Sequence, residues 1–153
     1  MDSALKIATE LAERRKWNAR DYVFPDVGPL SRAAYPKHIE FFESGASYRE
    51  RIFIAANRVG KSVAGAYEVM CHATGEYPKW WKGKRFDKPV KIWVAGDTGK
   101  TTRDIIQNKL MGPTGEYGSG LIPAKKMGRY LSKVGVADAV EVLYVKHHRQ
   151  LWI

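Results

Sequence analysis

The chain has 153 residues, 44% of them apolar and 27% charged, and its 26 lysines and arginines outnumber 16 acidic residues to give a net charge of +10. That size and balance are ordinary for one soluble globular domain with a sizeable core. They come with no apolar run near the ~20 residues of a membrane span and no signal-peptide pattern. The single cysteine, Cys71, excludes an internal disulfide and a cysteine zinc site, which fits a reducing cytosol.

In chain order, "SALKIATELAERRK" (3–16) has the 3–4 spacing of an amphipathic helix. "FPDVGPLSRAAYP" (24–36) is loop-rich, with three prolines. "KHIEFFESG" (37–45) predicts a short helix ended by Gly45. "RIFIAA" (51–56) is apolar without alternation, as in a strand buried on both faces of a parallel sheet. From Ser62 the period changes: Val63, Ala66, Tyr67, Met70 and Thr74 fall at helical spacing, and Gly75 is a stop. A linker (76–89) leads to a second buried strand, "VKIWVAG" (90–96), and a second helix, "TTRDIIQNKLMG" (101–112). A glycine-rich loop (112–128) precedes a third strand, "AVEVLYVKH" (139–147). Strands alternating with helices predict a three-layer α/β fold with a mainly parallel sheet. Residues 1–35 form a lead-in of helix and loop, and 36–153 form the domain proper.

Two stretches place Gly-Lys-Ser/Thr after an apolar run: "AANRVGKS" (55–62) and "AGDTGKTT" (95–102). A phosphate-binding loop curls its backbone N–H groups around the anion and aims a helix N-terminus at it. The usual form is G-x-x-x-x-G-K-[ST], with alanine admitted at the first position. The first stretch meets that spacing. Ala55 is the small residue, Ala56, Asn57, Arg58 and Val59 form the loop, and Gly60, Lys61 and Ser62 close it. Lys61 is placed for the β/γ-phosphates of ATP, and the Ser62 hydroxyl for Mg²⁺. The second stretch has Val94 where the small residue belongs, and Gly96 leaves only Asp97 and Thr98 before Gly99. It reads as a strand-to-helix turn capped by Asp97, Thr98 or Thr101. The basic charge favours a polyanion, of which nucleic acid is the commonest, against the plainer alternative of a solvated basic surface. "KWWKGKR" (79–85) mixes aromatics with Lys79, Lys82, Lys84 and Arg85. That suits phosphates and stacked bases, or a surface loop with its tryptophans turned inward.

Three segments, "FFESGASYRERIFIAANRVGKSVAGAYE" (41–68), "YPKWWKGKRFDKPVKIWVAGDTGKTTRDIIQNKL" (77–110) and "VEVLYVKH" (140–147), together resemble the N-terminal ATPase domain of the large terminase subunit of tailed bacteriophages. The resemblance covers roughly residues 35–147. It implies a P-loop NTPase of the RecA/helicase type that drives duplex DNA into a procapsid, with ATP and Mg²⁺ as cofactors. The small terminase subunit and portal are implied as partners, and the bacterial host cytoplasm as the location. It leaves room for a homo-oligomer and implies no membrane. Lys61 and Ser62 match the family's phosphate and Mg²⁺ ligands, and Arg58 matches an arginine carried inside the loop. His38 stands where helicase-like ATPases place an adenine-reading glutamine.

The family's Asp-Glu box, which holds Mg²⁺ through water and polarises the attacking water, has no counterpart here. The nearest mimic, "IWVAGD" (92–97), ends in Asp97 without a second carboxylate. The nuclease domain that follows in the family has no counterpart either. The tail "HRQLWI" (148–153) leaves the resemblance abruptly, which predicts a gene interrupted by a frameshift or stop. The expectation is a truncated large subunit that binds ATP and hydrolyses it poorly, with Arg58 and Asp97 as the catalytic candidates. The alternatives are a basic nucleic-acid-binding module with an empty P-loop, and a small stand-alone P-loop NTPase using Asp97.

Overall fold

The computed structural model describes residues 2–147, so the tail at 148–153 lies outside the described residues. The helices are α1 (Asp2–Trp17), α2 (Pro36–Ser44), α3 (Lys61–Thr74), α4 (Gly99–Thr101) and α5 (Asn108–Met111). A π-helical stretch, Thr102–Gln107, joins α4 to α5. Strands β1 (Met127–Ser132) and β2 (Val140–Val145) pair antiparallel, with Met127 opposite Val145 and Ser132 opposite Val140.

The centre of the molecule is α3. Ala64, Ala66, Tyr67, Met70, Cys71, Ala73 and Thr74 are buried on it, so it meets neighbours around most of its circumference. Gly75 ends it in the left-handed conformation at φ 67°, its N–H donating to the Cys71 carbonyl at 2.9 Å. A β-carbon would make that φ costly, which is why glycine stops the helix there. Around α3 lie Phe24, Phe42 of α2, Trp81, Leu110 and Met111 of α5, Leu121, Ile122 and Val145 of β2. By contrast α1 is exposed along almost its whole length and is tied down near its end by Lys16, whose ammonium lies 2.8 Å from Glu116.

Of the three strands expected from the sequence, β2 is present. Residues 51–56 and 90–96 carry no regular secondary structure and no ladder partner among the described residues. Nor are they buried on both sides. Phe53 and Ile92 pack against the core, while Ile52, Ile54 and Trp93 are 84%, 88% and 96% exposed. One face of each segment meets the core, and nothing among the described residues covers the other. The strand β1 runs on from the end of the stretch expected as loop. No helix of the described residues is long and apolar enough to cross a membrane.

Candidate nucleotide-binding site

The loop at 55–60 is shaped by its two unusual backbone conformations. Arg58 has φ 62° and Gly60 has φ 87°, so the chain turns through the left-handed region twice before entering α3. Gly60 is the N-cap residue of α3. It offers no side chain to the first turn, and that turn holds no acidic residue. The exposed N–H groups at the start of a 14-residue helix therefore face the loop with the positive end of the helix dipole behind them. This arrangement attracts an anion, and Arg58 and Lys61 add two cations to it.

Lys61 turns back over the loop. Its ammonium donates to the carbonyl oxygens of Ala55 and Ala56, each at 2.5 Å. The lysine is thus folded over the loop, its ammonium on the loop's own carbonyls. Ser62, next along, is exposed at the same end of α3. Ala56, Asn57 and Arg58 are exposed as well, and Ala55, Val59 and Gly60 are half-buried. The loop is open to solvent on one side and backed by protein on the other. A phosphate here would meet backbone N–H groups and the cations of Arg58 and Lys61, and the exposed Ser62 hydroxyl would be available to Mg²⁺.

The backing is provided by α2. His38 is 6% exposed, and its ring is edge-on to Tyr35 and Phe53 at centroid distances of 5.0 and 4.9 Å. Its Nε2 is buried with no hydrogen-bond partner. A β-carbon placed on Gly60 would lie 3.4 Å from that atom. The resemblance implies a place beside adenine for His38; the structure packs it among aromatic rings behind the loop.

The segment–loop–helix unit is locked by ion pairs on its far side. Arg51 donates to Glu68 Oε1 at 2.9 Å and to the Phe41 carbonyl at 2.8 Å, and His72 Nε2 lies 3.4 Å from the same carboxylate. Burial pushes the Glu68 carboxyl up, but the hydrogen bonds from His72 and Arg51 outweigh it and hold the group below the usual carboxylate range.

The other candidates fall elsewhere. Asp97 is exposed in the turn before α4, where Thr98 is the cap, its Oγ1 accepting from the Thr101 N–H at 3.0 Å. The tryptophans of "KWWKGKR" point inward. Trp81 is 2% exposed and donates Nε1–H to the Lys84 carbonyl at 3.0 Å, and Trp80 stacks on Tyr67. Lys79, Lys82, Lys84 and Arg85 remain exposed around that anchor. Lys82 lies 3.4 Å from Glu43, and the Arg85 guanidinium donates to the Trp81 carbonyl at 2.8 Å. A cavity of about 260 Å³ lies away from the loop, between α3, the helix following Asp97 and β2, lined by Val69, Ile92, Ile106, Leu110 and Leu143 among others. It is mainly apolar and does not include the loop at 55–60.

Sequence reasoning missed Gln107 on the π-helical stretch. Its Nε2 donates to the Asp138 carbonyl at 2.9 Å and to Tyr117 Oη at 3.2 Å, and its Oε1 accepts from Val140 N–H at 2.7 Å. It is structural, pinning β2 to the helix, and no local pattern marks it.

The chain is 39% identical over 131 residues to the terminase large subunit of Salmonella phage P22, a match that takes in 76% of this chain and 26% of that protein. The two are relatives, and the chain spans about a quarter of the relative's length. No family model matches the chain, and no solved structure does.

Proposed function

We propose that this relative of the terminase large subunit is the nucleotide-holding part of an ATP-driven DNA packaging motor of a phage or prophage, built on a P-loop NTPase fold. The observation that carries the reading is the start of α3, which has no side-chain cap, a loop doubly turned through the left-handed region, and a lysine folded over it. Lys61 holds the β/γ-phosphates of ATP, the backbone of 56–60 cradles them, and Ser62 takes Mg²⁺, which supplies charge neutralisation of the phosphates. Duplex DNA is the polyanion that the net charge of +10 suits, met by Lys79, Lys82, Lys84 and Arg85. The small subunit, the portal and a homo-oligomer belong to the same reading, and so does the bacterial cytoplasm.

The reading is tested by heating the protein with and without ATP and Mg²⁺. At a hundredfold excess over Kd, binding to the folded state adds about 2.7 kcal/mol. In a domain of this size that raises Tm by roughly 5–10 °C. An unchanged Tm over a full titration rejects the nucleotide site.

A further inference from the structure

We propose that His38 is a positioning residue for the phosphate loop, its Nε2 hydrogen-bonding to a loop carbonyl only while an anion fills the loop. The inference rests on the nucleotide-binding reading and adds a residue that touches neither phosphate nor metal. Two independent features meet at Gly60. One is the uncapped N-terminus of α3. The other is a buried imidazole nitrogen without a partner, 3.4 Å from where a Gly60 β-carbon would stand.

A buried polar atom left unpaired is a standing cost, and such atoms are rare in folded proteins. Here the cost is not relieved by rotation, because Tyr35 and Phe53 hold the ring edge-on and Phe24 closes a third side at 5.9 Å. The loop backbone at Gly60 is the neighbour that can supply a partner. Without an anion, the loop carbonyls of Ala55 and Ala56 are engaged by the Lys61 ammonium. When phosphate oxygens take that ammonium, the loop N–H groups turn in toward the anion and their carbonyls turn out toward the wall behind them. The wall beside Gly60 is His38. A carbonyl turned toward Nε2–H gains a donor, and the histidine loses its orphan atom. The hydrogen bond forms in the filled state alone, so it adds to affinity and subtracts nothing from solvation in that state. Glycine at 60 is required by φ 87°, and it leaves His38 Nε2 next to the loop backbone.

The test separates binding from folding, which a merely structural histidine would move together. His38→Phe keeps the aromatic packing and deletes the nitrogen; His38→Gln keeps a donor at similar reach. Calorimetry with ATP and Mg²⁺ is expected to show about a tenfold weaker Kd for His38→Phe and partial recovery for His38→Gln, since one hydrogen bond is worth about a factor of ten. Ligand-free Tm of His38→Phe is expected to stay level or rise. Equal affinity in the parent and His38→Phe overturns the inference alone, as does a fall in ligand-free Tm that matches the loss in affinity. No binding by the parent overturns the nucleotide reading and this inference with it. Should His38→Phe fail to fold, imidazole ¹H–¹⁵N spectra of the parent decide. A protected Nε2–H appearing on addition of ATP and Mg²⁺ supports the role, and unchanged imidazole resonances reject it.

Discussion

Lys61 and Lys100 both follow a glycine and precede a hydroxyl residue, and only Lys61 is folded back over its own loop. Lys61 lies over the carbonyls of its own loop, whereas Lys100 is exposed in the first turn of the short α4. Replacing Lys61 by Ala should remove most of the stabilisation that ATP and Mg²⁺ confer, while Lys100→Ala leaves it intact. Thermal denaturation of the two variants against ligand concentration reads the difference, and equal losses would contradict the assignment. Glu68 answers to a different variable. Its folded-state pKa is depressed, so its contribution to stability is fully present above its unfolded value of ~4.3 and is lost as pH falls through the folded value. Glu68→Gln should cost about 1–3 kcal/mol at neutral pH, because Arg51 keeps its place but loses its charged acceptor. The gap between variant and parent in denaturant melts should begin to narrow below about pH 4.3 and close as pH falls through the depressed folded value. A gap independent of pH would show that the carboxylate charge is not what matters.

At the scale of elements, the helices were readable because their cause is local. The 3–4 spacing of Val63, Ala66, Tyr67, Met70 and Thr74 marks α3, and Gly75 stops it with the left-handed backbone that glycine adopts most easily. The strands were less so, because pairing is made by distant residues. Segments 51–56 and 90–96 share their apolar composition with strands buried on both faces, yet here only one side is met by the core. The strand β1 was hidden, since "MGRYLS" follows a run of glycines and lysines and is a strand by virtue of β2 opposite. The turn at 55–60 that leads into α3 was legible from spacing. The approach of His38 to it was not, because 22 positions separate His38 from Gly60 and no periodicity connects them. The exposed isoleucines and tryptophan make a prediction of their own. Ile52→Thr, Ile54→Thr and Trp93→Ser together should change stability by less than about 1 kcal/mol and lower self-association, as exposed apolar patches drive it. Light scattering at matched concentration checks this; a large loss of stability would mean those side chains are covered in solution. Within the helical layer, Gln107→Ala should cost about 2–3 kcal/mol in denaturant melts, because it strands the Val140 N–H and the Asp138 carbonyl.

For the whole molecule, charge and turnover are the two questions. Any affinity for duplex DNA should be independent of sequence and fall steeply with salt through counterion release. Neutralising Lys82, Lys84 and Arg85 together should flatten the slope of log K against log salt by roughly 0.9 for each phosphate that no longer has a cation beside it. A salt-independent affinity, or one that selects a sequence, would contradict the proposed interface. Turnover rests on other groups. Positioning a water in line with the γ-phosphate needs a carboxylate beside it, and missing such a group typically costs ~10²–10⁴-fold. Steady-state phosphate release by this chain should therefore stay well below ~1 s⁻¹ with or without DNA, given ordinary enzyme rates of that order and above. Faster release that vanishes in Asp97→Ala would make Asp97 the working carboxylate and the chain a stand-alone NTPase.

The short helix α2 touches two surfaces at once. Near its start His38 lies beside Gly60 of the loop at 55–60; near its end the Phe42 carbonyl lies so close to Gly83, in the middle of the basic segment, that a β-carbon there would stand 2.2 Å from it. Four residues separate the two contacts, a span of about 6 Å along a helix. One turn of α2 thus lies against both the loop at 55–60 and the basic segment. Of the two contacts the one at Gly83 leaves no room for a side chain, so Gly83→Ala would have to move the basic segment away from α2 and with it the lysines and Arg85 that the segment displays.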